Sequence, residues 1–255
     1  MLTSYADGTI YGSASLEGKP KVLALHGWGR SYRDFGELCS IEKDVPILSI
    51  DLPGFGESPP PEKSGGSLWY AEMLKPIVDQ LDSRPILVGH SFGGRVAIGL
   101  IEKFPDRFGG LILTGVPLIK TPGKVVKKPP AKLRLAKFAN KYKLAPTSIV
   151  DKYRNAYGSP DYKRASGVMR QVLVTVLAET NSGLYVDWLM GAKLPVVLLW
   201  GEMDLEIPIS VAQSVRESLG ADRCELRAVK EGSHFLPTEH PFEIKTAIHD
   251  LLKVS

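Results

Sequence analysis

The pentapeptide Gly89-His90-Ser91-Phe92-Gly93 constrains this chain more than any other stretch. It follows the apolar run Pro85-Ile86-Leu87-Val88 and precedes a helical pattern, Arg95-Val96-Ala97-Ile98-Gly99-Leu100-Ile101. A serine hydroxyl is unreactive unless a turn lifts it out of the packing and a base stands beside it. Glycines two before and two after the serine let a strand and a helix pass closely, with the serine on the sharp turn between them. Strain of that kind is characteristic of functional sites.

The flanking sequence supplies a fold in which such a turn would sit. Near-continuous apolar runs cover Lys21 to His26, Val45 to Asp51, Ile86 to His90, Leu111 to Gly115 and Val196 to Gly201. Strands that read this way are buried on both faces, as in parallel sheets. Thr9 to Ala14 and the more polar Arg223 to Val229 read as strands nearer the edges. Helical patterns lie between them at 67–81, 92–104, 208–219 and 241–252, the last opening on Pro241. This alternation predicts an α/β fold with a doubly wound, mostly parallel sheet.

One segment breaks the rhythm. From Pro117 to Lys193 no strand run ends in a Gly-rich turn; there are basic helical patterns at 131–142 and 165–179 instead. The expected organisation is a core formed by residues 1–116 and 194–255, with 117–193 as a helical, basic lid over the strand ends. Residues 117–170 hold 14 Lys and Arg against 2 Asp and Glu, although the whole chain is only +4. Three readings of that stretch stay open: a solvated helix face, a dock for an acidic partner such as an acyl carrier protein, and a contact with an anionic membrane surface. Aromatics are not interleaved as a stacking platform, so nucleic acid is not expected.

No apolar run is long enough to span a membrane, and the N-terminal residues carry neither a basic start nor an apolar stretch. Two cysteines, Cys39 and Cys224, make no disulfide framework. The expectation is a cytoplasmic protein.

Acyl transfer needs a nucleophile, a base oriented by a third group, and donors for the oxyanion. Ser91 is the candidate nucleophile. Of the five histidines, His234 stands in a Gly-containing loop after the last strand run, where a base would reach the sheet's carboxyl edge. Asp204 follows the strand ending at Gly201 and is the candidate orienting acid, with Glu202 and Glu206 as rivals. The oxyanion donors would be the backbone N–H groups of Phe92, at a helix N-terminus, and of Trp28, in the turn Gly27-Trp28-Gly29. The side chains of Trp28, Phe92 and Phe235 are candidates for lining an apolar substrate pocket.

Taken together, His26-Gly27-Trp28-Gly29, the segment Asp51 to Ser58, the elbow at Ser91, the Gly-x-x-Asp loop at 201–204 and the Gly-x-His loop at 232–234 resemble the α/β-hydrolase family in the order of its motifs. The resemblance implies an eight-stranded, mostly parallel sheet whose first strand is short or absent here, a lid after the sixth strand, and no metal or organic cofactor. Serine at 91 departs from the aspartate of haloalkane dehalogenases and epoxide hydrolases. His-Gly-Trp-Gly departs from the His-Gly-Gly-Pro-Gly of proline iminopeptidases. Paired with Asp-Leu-Pro-Gly-Phe-Gly-Glu-Ser, it is similar to the carboxylesterases that cleave pimeloyl-acyl-carrier-protein methyl ester, although those carry Gly-Trp-Ser-Leu-Gly at the elbow.

The expected activity is hydrolysis of an ester or thioester of a small acyl substrate by a Ser91-His234-Asp204 triad. A carbon–carbon bond hydrolase acting on a diketone, or a ligand sensor with negligible turnover, would need the same residues.

Overall fold

The computed structural model of the protein describes residues 2–82, 84–121 and 160–254, together with residues 135, 136, 138, 139, 142, 146, 148 and 149. Most of the helical pattern expected over 131–142, and much of the expected lid, lies outside the described residues.

Eight strands form one sheet: β1 (Leu2–Tyr5), β2 (Ile10–Ala14), β3 (Val22–Leu25), β4 (Ile47–Asp51), β5 (Ile86–His90), β6 (Gly110–Thr114), β7 (Val196–Gly201) and β8 (Cys224–Val229). Their order is β1-β2-β4-β3-β5-β6-β7-β8. β1 and β2 pair antiparallel, as do β2 and β4; every other pairing is parallel. The expected α/β-hydrolase sheet is therefore present, and its first strand is short but formed.

Every residue of β3 to β7 is buried, which is why these strands read as unbroken apolar runs. Their side chains divide with period two. Leu23, Leu25, Leu87, Leu113 and Trp200 face one core layer, and Val22, Ala24, Val88, Ile112 and Leu199 the other. β8 is buried only at its two ends, Cys224 and Val229, as suits an edge strand.

In chain order the helices are α1 (Gly36–Ile41), α2 (Ser67–Met73), α3 (Lys75–Val78), α4 (Phe92–Lys103), α5 (Pro160–Arg164), α6 (Gly167–Ser182), α7 (Leu184–Gly191), α8 (Ile209–Leu219), α9 (Leu236–Glu239) and α10 (Pro241–Val254). α10 and α1 cover one face of the sheet, while α2, α4, α7 and α8 cover the other. The single helix expected over 67–81 is two. Pro76 has no N–H to bond the Glu72 carbonyl, so the ladder breaks and restarts at Lys75.

α6, expected at 165–179, begins after Ser166 and ends at Gly183, whose φ of 86° closes it. It is tied to the core by its buried Val172, Leu173 and Val176, by the Thr180 hydroxyl, which donates to the Pro117 carbonyl, and by one carboxylate. Glu179 accepts hydrogen bonds from Ser67 N–H at 3.1 Å, Ser67 Oγ at 2.9 Å and Tyr185 Oη at 2.7 Å. It thereby caps the N-terminus of α2 from another helix. Among the described residues, no helix is long and apolar enough to cross a membrane.

Candidate active site

The site forms where β5 hands over to α4. Ser91 sits between them at φ 48° and ψ −111°, a conformation that non-glycine residues adopt only under strain. Its N–H donates to the Thr114 carbonyl at 2.9 Å, which ties the elbow to the end of β6. The flanking glycines are required by contact. A Cβ on Gly89 would meet the Gly94 backbone, and one on Gly93 would meet the carbonyls of Leu25 and His26.

The base and acid arrive on neighbouring loops beyond β8 and β7. His234 Nδ1 lies 2.8 Å from Asp204 Oδ2, and both side chains are buried. The other Asp204 oxygen accepts from the N–H groups of Glu206 at 2.9 Å and Ile207 at 2.8 Å. The carboxylate is thus fixed at both oxygens, and His234 donates from Nδ1 and turns Nε2 toward the cleft. Met203 N–H donates to the Gly232 carbonyl at 2.9 Å and joins the two loops. Gly115, at φ 56°, makes room for the imidazole: a Cβ there would stand 2.8 Å from His234 Cε1. The rivals do not take the acid's place. Among the described residues no hydrogen bond or ion pair joins Glu202 to His234, and Glu206 stands 3.7 Å from His234 Nε2 with a largely exposed side chain.

Ser91 and His234 line one cleft of about 560 Å³, together with Gly27, Trp28, His90 and Phe235. No hydrogen bond joins Ser91 Oγ to His234 among the described residues; such pairs commonly tighten only when substrate binds. The backbone N–H groups of Trp28 and Phe92 likewise have no partner among the described residues. Phe92 opens α4, so its N–H lies at the positive end of the helix dipole.

The turn holding Trp28 is itself built by buried polar groups. His26 donates from Nδ1 to the Gly27 carbonyl at 2.7 Å, and its Nε2 accepts from Leu52 N–H at 3.0 Å. Burial pushes the His26 pKa down, in keeping with this neutral double role. Asp51 accepts from Tyr32 N–H and Glu57 N–H, and Ser58 Oγ donates to the Asp51 carbonyl at 2.7 Å. The Asp51-to-Ser58 segment is therefore scaffolding for the cleft.

The three aromatics expected to line the pocket separate. Trp28 and Phe235 border the cleft. The Phe92 ring does not. It is buried in an aromatic cluster, 5.2 Å from Trp28, 5.7 Å from Phe55 and 5.1 Å from Tyr70 by ring centroid. Phe92 is the first residue of α4, and its side chain packs down onto the core while its N–H faces the elbow. The cleft is more polar than expected: Arg30, Asp161, Arg164 and Glu206 line it too. Sequence reasoning passed over His90 and Gly115, although both adjoin apolar strand runs whose ends were already suspected. A larger surface hollow of about 740 Å³ is lined by residues 190–195, Asp222, Arg223 and Val254. Its lining has no serine, threonine, cysteine or histidine, and Arg223 there caps the carbonyls of Leu189, Met190 and Ala192.

The description "Alpha/beta hydrolase family" belongs to the family model that matches residues 22–246. A 2-hydroxy-6-oxononadienedioate/2-hydroxy-6-oxononatrienedioate hydrolase from Pseudomonas sp is 22% identical over 254 residues, covering 92% of this chain and 88% of that one. The biotin biosynthesis bifunctional protein BioHC of Cellvibrio japonicus (strain Ueda107) is 21% identical over 248 residues, which is 91% of this chain and 47% of that protein. Among solved structures, a thermophilic esterase from Thermogutta terrifontis matches with a TM-score of 0.67 and 20% identity, over 99% of this chain and 98% of that one. At that identity the likeness is one of fold.

Proposed function

Because the chain belongs to the alpha/beta hydrolase family, we propose that it is a serine hydrolase that cleaves an ester or thioester of a small acyl substrate through an acyl-enzyme. The observation that carries this reading is the 2.8 Å Asp204–His234 pair facing the same cleft as the strained Ser91. Ser91 Oγ attacks the carbonyl carbon as His234 Nε2 takes its proton. The Trp28 and Phe92 N–H groups hold the oxyanion. The imidazolium returns the proton to the leaving oxygen or sulfur, and that bond breaks. Water, deprotonated by His234, then attacks the acyl-enzyme, and the acid leaves as Ser91 recovers its proton.

Asp204 supports the imidazolium through its charge and holds the tautomer with Nε2 free. The likeness to the Pseudomonas hydrolase favours carbon–carbon hydrolysis of a diketone as the second reading. Stopped-flow assays separate the two. A burst of alcohol or thiol from activated short-chain esters, followed by slower turnover, supports the ester reading. Turnover of a 1,5-diketone together with esters left intact supports the second. Absence of turnover on every ester, thioester and diketone would leave a ligand-sensing protein.

A further inference from the structure

His90 is a second histidine of the cleft, and acyl transfer as described above leaves it unused. Its ring centroid lies 4.9 Å from that of His234. The residue is 1% exposed, yet it borders the same cleft as Ser91. Nδ1 lies 2.9 Å from Thr114 Oγ1 and 3.2 Å from the Thr114 carbonyl oxygen. A carbonyl only accepts, so Nδ1 carries the proton and donates toward Thr114. Burial, then the neighbouring His234, holds the ring's pKa well below the ordinary histidine value. The imidazole is therefore neutral, and Nε2 is a bare acceptor.

Among the described residues nothing donates to that Nε2. The ring edge that carries it faces Gly27: a Cβ on Gly27 would stand 3.1 Å from His90 Nε2 and 3.5 Å from Ser91 Cβ. Glycine at 27 leaves open the space between this acceptor, the nucleophile and the Trp28 turn. Unlike Arg95 Nε, this unpaired nitrogen is not sealed off by protein, so a group that enters the cleft can reach it. The oxyanion would be repelled by a lone pair, so the matching group is a neutral O–H close to the scissile carbonyl. The apolar space beneath the elbow is already filled by the edge-to-face cluster of Trp28, Phe55, Tyr70 and Phe92. Beside Trp28, Ile207 and Phe235, the cleft is lined by the charged groups Arg30, Asp161, Arg164 and Glu206. Such a lining suits a short, polar acyl group.

We propose that His90 Nε2 is a specificity-determining acceptor that selects acyl groups bearing a hydroxyl next to the carbonyl, so that the substrates are short 2-hydroxyacyl esters or thioesters. This rests on Ser91 being the nucleophile.

The full chain is assayed on matched methyl esters of 2-hydroxypropanoate, 2-methoxypropanoate and propanoate, each rate normalised to the ester's reaction with hydroxide. The 2-hydroxy ester is expected to exceed the 2-methoxy ester in kcat/KM by about tenfold or more. The ratio falls toward one in His90→Leu and recovers in part in His90→Gln, whose side-chain oxygen accepts. A wild-type ratio near one, or a ratio that survives His90→Leu, overturns the proposal. The wild-type ratio decides by itself if a variant does not fold. Fluorophosphonate labelling of Ser91 is read separately. Labelled protein with a flat ratio removes only the role of His90, whereas unlabelled, folded protein removes the nucleophile reading beneath it.

Discussion

Replacing Asp204 with asparagine should disable the site while leaving its architecture in place, for a reason the hydrogen bonds make specific. One carboxylate oxygen accepts from the N–H groups of Glu206 and Ile207, and the other faces His234 Nδ1 at 2.8 Å. In Asp204→Asn the amide oxygen takes the place between the two backbone donors. The amide nitrogen is then left facing His234. An NH2 group there donates, so Nδ1 must accept and Nε2 must carry the proton. That tautomer is unable to take the proton from Ser91. The variant also loses the charge that supports the imidazolium. The expected loss is on the order of 10³- to 10⁴-fold in kcat/KM, about 4 to 5.5 kcal/mol of transition-state stabilisation. Stability should fall by no more than about 2 kcal/mol, because the two backbone bonds survive. The assay is ester hydrolysis at neutral pH, read beside urea unfolding of the same preparations. Activity within about tenfold of wild type, in folded protein, would refute the tautomer argument.

Other perturbations test other parts. Gly115→Ala combines a strained φ of 56° with a Cβ 2.8 Å from His234 Cε1, so it should lower kcat/KM at least about tenfold and stability by about 1 to 3 kcal/mol; an unchanged kcat/KM would contradict the packing of the base. The pKa values of His26 and His90 lie below the ordinary 6.5 in the folded protein, so the unfolded chain binds protons first as pH falls. Stability is therefore retained above about pH 7 and lost below it, by roughly 1 to 3 kcal/mol between pH 7.5 and 5.5. A urea midpoint that holds steady over that range would count against the two neutral imidazoles. Glu179→Ala leaves Ser67 N–H without its acceptor and Ser67 Oγ and Tyr185 Oη with only each other, beside a buried Arg95 whose Nε has no partner among the described residues. It should cost about 2 to 4 kcal/mol by chemical unfolding, and a loss under about 0.5 kcal/mol would argue that α6 is not anchored there.

The core was legible because β3 to β7 are buried on both faces and leave no polar alternation to misread. β1 escaped notice because four half-exposed residues carry no such pattern. α1 is too short for a helical period to show, and Pro76 splits what the periodicity of 67–81 joins. Within the site, Ser91, Asp204 and His234 stood out because each follows a strand run in a Gly-containing turn. The Phe92 ring was misjudged because adjacency to a nucleophile says nothing about which way a side chain packs. His90, Gly27 and Gly115 matter through contacts between loops far apart in sequence, as does Glu179 through its reach to Ser67. No periodicity within one segment encodes such a contact.

The most direct test is the site of covalent capture. After treatment with a fluorophosphonate, intact mass and peptide mapping should show one adduct per chain, on Ser91. It should be lost in Ser91→Ala and slowed by orders of magnitude in His234→Gln. A folded protein that takes up no label, or takes it on another residue, would contradict the account at its centre.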